Sequence, residues 1–186
     1  MRLGLLQSRD RGRVAQLLHA TAAFTEAEIS VALELFDIAH TTSSSHVVEG
    51  WQTAGVNTAA IAVAVDYEFI GAFDDPGVLL GYACFGPMPV ADGTYDLYWL
   101  AVDPAAQGRG IGKALVASIE QELVGRGARV LVVETSSVAK YARTRTFYAR
   151  LGFVEAARVM HFYAQADDRI ILTRRIATRD PGVSTR

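Results

Sequence analysis

Apolar and polar positions along the chain follow two different periods, and the switches between them mark the elements. Tyr67–Phe73 and Val78–Gly86 are nearly all apolar, and Asp74-Asp75-Pro76-Gly77 between them is turn chemistry, so a β-hairpin is expected. Tyr95–Val102 predicts a central strand, and Ala128–Glu134, apolar almost throughout, a strand covered on both faces. Phe153–Phe162 and Arg169–Ile176 predict a last pair of strands around 164–168, and Met1–Gln7 predicts a first strand. Between these, spacing turns helical. Val14, Leu17 and Leu18 share a face of a helix that Asp10 caps and that runs to about Ala22. Thr25 and Glu28 form a capping box for a second helix, with Ile29, Leu33 and Phe36 inward, to near His40. Ile111, Leu115, Ile119 and Leu123 stripe a third helix stopped by Gly125 and Gly127. A fourth, 141–151, carries Thr144, Phe147, Tyr148 and Leu151 on one face and ends at Gly152. Residues 47–66 fit no single period, and 59–65 reads equally as a buried strand or a short helix.

Composition narrows the class. The chain has 186 residues, 51% hydrophobic, which suits one domain over 1–177 with a loose tail over 178–186. A net charge of -2 offers no general attraction to nucleic acid or to an anionic membrane. The lone Cys84 has no internal disulfide partner and sits mid-strand, where a small buried side chain is expected. The apolar start is too short for a signal peptide, and no stretch reaches the roughly 18 apolar residues of a membrane span, so a cytoplasmic protein is expected. His19, His40, His46 and His161 lack metal-ligand spacing, and no metal is expected.

Candidate chemistry concentrates at Gln107-Gly108-Arg109-Gly110-Ile111-Gly112. This run follows the central strand and the turn 103–106 and opens the third helix. Unpaired amides at a helix start, the helix dipole and Lys113 make an anion site there. The spacing is not that of a P-loop, and it fits a dinucleotide fold poorly, since no acidic ribose ligand follows. Gln-x-x-Gly-x-Gly after a strand resembles instead the acetyl-CoA diphosphate loop of the GNAT N-acetyltransferases. A second motif, Phe147-Tyr148-Ala149-Arg150-Leu151-Gly152-Phe153, is similar to the Tyr-x-x-x-Gly-Phe of the family's final helix. The element order from Val78 to Ile176, a little over half the chain, matches that family's core.

The resemblance implies an α+β, three-layer fold: a mixed, strongly twisted sheet of six or seven strands with helices on both faces. Its parallel strands, Tyr95–Val102 and Ala128–Glu134, would splay apart. Pantetheine would lie in the gap on backbone groups of Leu100, Ala101 and Val102. The diphosphate would sit on the amides of Arg109, Gly110, Gly112 and Lys113, in the loop formed with Gln107, Gly108 and Ile111. A side chain at 110 or 112 would occupy the phosphate's place. Thr135 is a further cofactor contact, and Arg143 or Arg145 would meet the 3′-phosphate. Tyr148 holds the position whose phenol donates to the departing sulfur. Asp96 and Glu134 are rival bases, and strand parity puts Asp96, Tyr98, Leu100 and Val102 on one face. Tyr141 stands where many members have an Asn that touches the cofactor. Trp51, Tyr82, Tyr98, Phe162 and Tyr163 are candidates for the acceptor site. The implied activity is acetyl transfer from acetyl-CoA to a small-molecule or peptide amine, with a homodimer left open. The alternative is an acyl-CoA-binding sensor that has kept the fold without turnover.

Overall fold

The computed structural model describes residues 1–41, 67–89 and 91–177. Seven strands form one mixed sheet: β1 (Arg2–Leu5), β2 (Glu68–Phe73), β3 (Leu79–Pro87), β4 (Thr94–Val102), β5 (Val130–Ser136), β6 (Val154–Ala164) and β7 (Asp167–Arg175). Their order is β1-β2-β3-β4-β5-β7-β6. Neighbours are antiparallel except β4 and β5, which run parallel and pair only at Thr94–Val130, Tyr95–Leu131 and Asp96–Val132. Beyond Asp96 the two strands part, while β4 stays paired to β3 as far as Val102 and β5 to β7 as far as Ser136. The gap therefore exposes one edge of backbone donors and acceptors on each strand.

Helices cover both faces. On one, α3 (Ile111–Gly125) and α4 (Ala142–Arg150) bury Leu115, Ile119, Leu123 and Tyr148 against Ala83, Phe85, Leu97, Leu131 and Val133. On the other, α1 (Arg11–Thr21) and α2 (Glu26–His40) bury Val14, Leu17, Leu18, Ile29 and Phe36 against Phe69, Tyr82, Cys84 and Ala101. Each fully buried leucine contributes roughly 2 kcal/mol from apolar burial. The expected Thr25–Glu28 box is present: the Thr25 amide donates to Glu28 Oε2 (2.7 Å) and the Glu28 amide to Thr25 Oγ1 (3.3 Å).

Three expectations about local structure are corrected. Asp10 makes no side-chain cap bond to α1; a 3-10 turn over Ser8–Asp10 comes first, and the Asp10 carboxylate accepts from the Gln7 amide. The loop expected over 164–168 shrinks to a two-residue connection, with Ala166 left-handed at φ 60° and His161, within β6, at φ 55°. Most important, β4 carries a bulge. Cys84 pairs with Trp99 but Phe85 pairs with Leu97, leaving Tyr98 as the extra residue. Single-phase parity fails there: Tyr98 packs toward α1 and α2, whereas Leu100 and Val102 pack toward α3 and α4. Among the described residues, no helix is long and apolar enough to cross a membrane, and no group of three His, Cys, Asp or Glu could hold a metal.

Candidate active site

The chain leaves β4 through a braced turn. Asp103 accepts from the Ala105 amide (2.9 Å) and from Arg13 Nη2 (2.5 Å), while Arg13 Nε donates to the Leu79 carbonyl (3.1 Å). Gln107 Nε2 donates back to the Val102 carbonyl (3.3 Å). Gly108 and Gly110 then take φ of 77° and 78°, conformations that disfavour any residue with a Cβ. Gly110 is the N-cap of α3, and the first helical bond runs from the Ala114 amide to its carbonyl (2.9 Å). The amides of Ile111, Gly112 and Lys113 consequently have no partner within the helix. They open on a cavity of about 700 Å³ beside α4. Of the expected cofactor contacts, Leu100, Val102, Gln107, Gly108, Gly110, Ile111, Gly112, Lys113 and Arg143 line it; the exposed Arg109 does not.

One reading of that loop changes. A Cβ on Gly110 would meet nothing within 4 Å, so its space is open to a ligand. A Cβ on Gly112 would instead come within 3.2 Å of Phe147 Cζ, so Gly112 is small to let α4 close on α3. Arg145 is also committed elsewhere, donating to the carbonyls of Ser136 (2.7 Å) and Val138 (3.0 Å), which leaves Arg143 and Arg150 at the cavity.

A second cavity, of about 560 Å³, reaches the other side of the gap. Its walls are the α1–α2 connection with Ala23, Phe24, Thr25 and Glu28, the parted edges of β4 and β5, and Tyr141, Tyr163 and Asp167. Leu100, Val102, Gln107, Thr144 and Tyr148 line both cavities, so the two meet at that point. Tyr148 is buried there, its ring edge-on to Phe147 (5.1 Å) and Phe153 (5.2 Å). Burial raises its phenol above the ordinary range, which keeps it protonated and able to donate. Ala101 and Thr135, expected at the cofactor, line the second cavity instead.

The rival carboxylates differ in surroundings. Burial first, then the nearby Glu134 charge, push Asp96 up to about 6, against the opposing pull of Arg169 and of the Tyr98 hydroxyl. Glu134 lines the second cavity but is held by the Arg169 guanidinium. Asp96 lines neither cavity but interacts with Tyr98, which does line the second. Tyr163 is on that wall as well. Tyr82 is not an acceptor-site residue: it is fully buried, with its ring stacked on Phe69 (6.1 Å), because α1 and α2 cover that face of β3. Phe162 stays on the surface under Arg169 (4.8 Å), outside both cavities. Trp51 lies outside the described residues. Sequence reasoning passed over Thr144 and Lys140 as wall residues, whereas Glu28 and Asp167 fall in the two segments, from Thr25 onward and 162–168, from which an acceptor pocket is expected.

Comparison with known proteins bears on this geometry directly. The model of the acetyltransferase (GNAT) family matches residues 32–153. The mycothiol acetyltransferase of Mycobacterium leprae is 44% identical over 87 residues, 43% of this chain and 27% of that protein. The [ribosomal protein bS18]-alanine N-acetyltransferase of Escherichia coli is 37% identical over 73 residues, 39% of this chain and 48% of that protein. The chain thus spans between about a quarter and a half of the length of these curated relatives. A solved GNAT-family structure from Desulfovibrio desulfuricans is 36% identical and superposes with a TM-score of 0.75, covering 95% of this chain and 98% of its own. The family model takes in the parted strands, the glycine loop and Tyr148 alike, and the chain belongs to the GNAT acetyltransferase family.

Proposed function

We propose that the protein transfers the acetyl group of acetyl-CoA directly to a primary amine. One observation carries this reading above others: a cavity at the α3 N-terminus and a cavity across the gap meet at the buried, protonated Tyr148. The first suits a coenzyme A tail, with free amides and Lys113 for a diphosphate, Arg143 and Arg150 for a further phosphate, and the unpaired β4 edge for pantetheine amides. Among the described lining residues of the second, Glu28, Glu134 and Asp167 stand against Lys140, a balance that suits a group arriving as an ammonium ion.

Acetyl-CoA supplies a thioester whose acyl carbon accepts a neutral amine. Asp96 takes one ammonium proton, across the Tyr98 hydroxyl or a water, and returns it to solvent. At neutral pH its carboxyl, near 6, is ionised yet basic enough for that task. Tyr148 gives its phenolic proton to sulfur as the C–S bond breaks, and regains one from the newly acylated nitrogen. The Glu134–Arg169 pair keeps Glu134 out of proton transfer and tunes Asp96 electrostatically. Dependence on acetyl-CoA fits a cytoplasmic protein.

Thiol release from acetyl-CoA is the test, with a panel of amines that includes an alanine-initiated hexapeptide, alongside calorimetric titration of coenzyme A. Release above the amine-free rate, with the N-acetylated product seen by mass, is expected. Failure to bind coenzyme A would overturn the reading. Binding without release to any amine would point to the acyl-CoA sensor instead.

A further inference from the structure

Tyr141 stands seven residues before Tyr148, yet its side chain is turned away from the cofactor cavity. It is absent from the described lining of the cavity at the α3 N-terminus and present in that of the cavity across the gap. Its hydroxyl donates to the Ala23 carbonyl (3.0 Å), joining residues 118 apart in sequence. We propose that Tyr141 is a positioning residue for the acceptor: its hydrogen bond to Ala23 holds the α1–α2 wall of that cavity in register with α4. This rests on the acetyl-transfer reading of the site.

The wall needs such a tie. Ala22 ends α1 in the left-handed region at φ 48°, a conformation that costs a residue with a Cβ some energy. Thr25 then opens α2 through its capping box, so residues 22–24 bridge two helices in a sharp reversal. Ala23, Phe24 and Thr25 all line the acceptor cavity, and the Tyr141 hydroxyl is the side-chain partner of the Ala23 carbonyl, the first of them after α1. At the other end, Tyr141 closes the 3-10 turn (Ala139–Tyr141) that leads into α4, the helix carrying Thr144 and Tyr148. One phenol thereby references the wall to the element that presents the acid. Its ring also lies 5.6 Å from the Lys140 ammonium. Burial, with the charges of Glu28 and Asp167, raises the phenol, so it remains a donor at neutral pH.

Tyr141→Phe in the full chain removes the hydrogen bond and little else. Amide hydrogen exchange over residues 22–28 should quicken roughly fivefold, the factor one ordinary hydrogen bond is worth, while exchange in 142–150 stays the same. Coenzyme A affinity, titrated directly, should stay within about twofold. With the alanine-initiated hexapeptide as acceptor, KM should rise roughly fivefold and kcat should hold within about twofold. Tyr141→Asn should reproduce the exchange change even if its fold is weakened elsewhere. Unchanged exchange over 22–28 in both variants, weakened coenzyme A binding in Tyr141→Phe, or a fall in kcat alone would each overturn the proposal. A wild-type protein that binds no coenzyme A would sink the acetyl-transfer reading, while the exchange comparison would still decide the role of the Tyr141 bond.

Discussion

In the proposed mechanism the Asp96 carboxyl, pushed up to about 6 by burial and by Glu134, ties turnover to pH. A carboxyl raised in the folded state binds its proton more tightly there than in the unfolded chain. The fold is therefore destabilised as pH rises from the unfolded value of 3.8 through about 6. Asp96→Asn removes that penalty. It should stabilise the protein by about 1 kcal/mol near pH 8, after discount for solvent, and by nothing near pH 4, as urea unfolding at the two pH values would measure. The same variant should lose the limb in kcat/KM that rises through about pH 6 in the wild type. A residue whose removal strengthens the fold and weakens turnover is under functional constraint. Tyr148→Phe keeps the ring contacts with Phe147 and Phe153 and removes the donor. It should lower kcat roughly 100-fold and leave coenzyme A affinity nearly as it was, by steady-state kinetics and calorimetry. Gly110→Ala acts on binding: at φ 78° the substitution should cost about 1–2 kcal/mol of stability. Its methyl would enter the open space before the helix amides, so coenzyme A affinity should fall about tenfold or more.

Among the elements, what was legible in the sequence had a local cause. The stripe Ile111, Leu115, Ile119 and Leu123, the Thr25–Glu28 box and the glycine loop each act through neighbours in sequence, and each stands where it was expected. The β4 bulge was not legible. Leu97, Tyr98, Trp99 and Leu100 are all apolar, so nothing in their order records the change of phase at Tyr98, which only pairing with Cys84 and Phe85 reveals. Tyr82 was misplaced for a related reason: alternation assigns a face to a strand residue but not the helix layer that covers it. His161 and Ala166 turn left-handed without being glycine, which leaves no compositional mark. Thr25→Ala tests the reading at this scale. Loss of the capping box should cost about 1 kcal/mol in chemical denaturation and quicken exchange in the first turn of α2.

In the whole molecule, the two cores grip the sheet from β2 to β4 on both faces, while the parallel strands β4 and β5 part from each other after Asp96. A sheet that parted there without a ligand role would leave the edges of β4 and β5 unpaired, a cost that folding proteins avoid. The same gap brings the helix amides of α3, the buried Tyr148 phenol and the carboxylate-rich wall to one place. A crystal structure of the protein with coenzyme A tests this most directly. The account predicts the diphosphate on the amides at the start of α3, pantetheine along the free edge of β4, and the sulfur beside the Tyr148 hydroxyl. A diphosphate bound anywhere else, or a thiol arm lying outside the gap between β4 and β5, would contradict it.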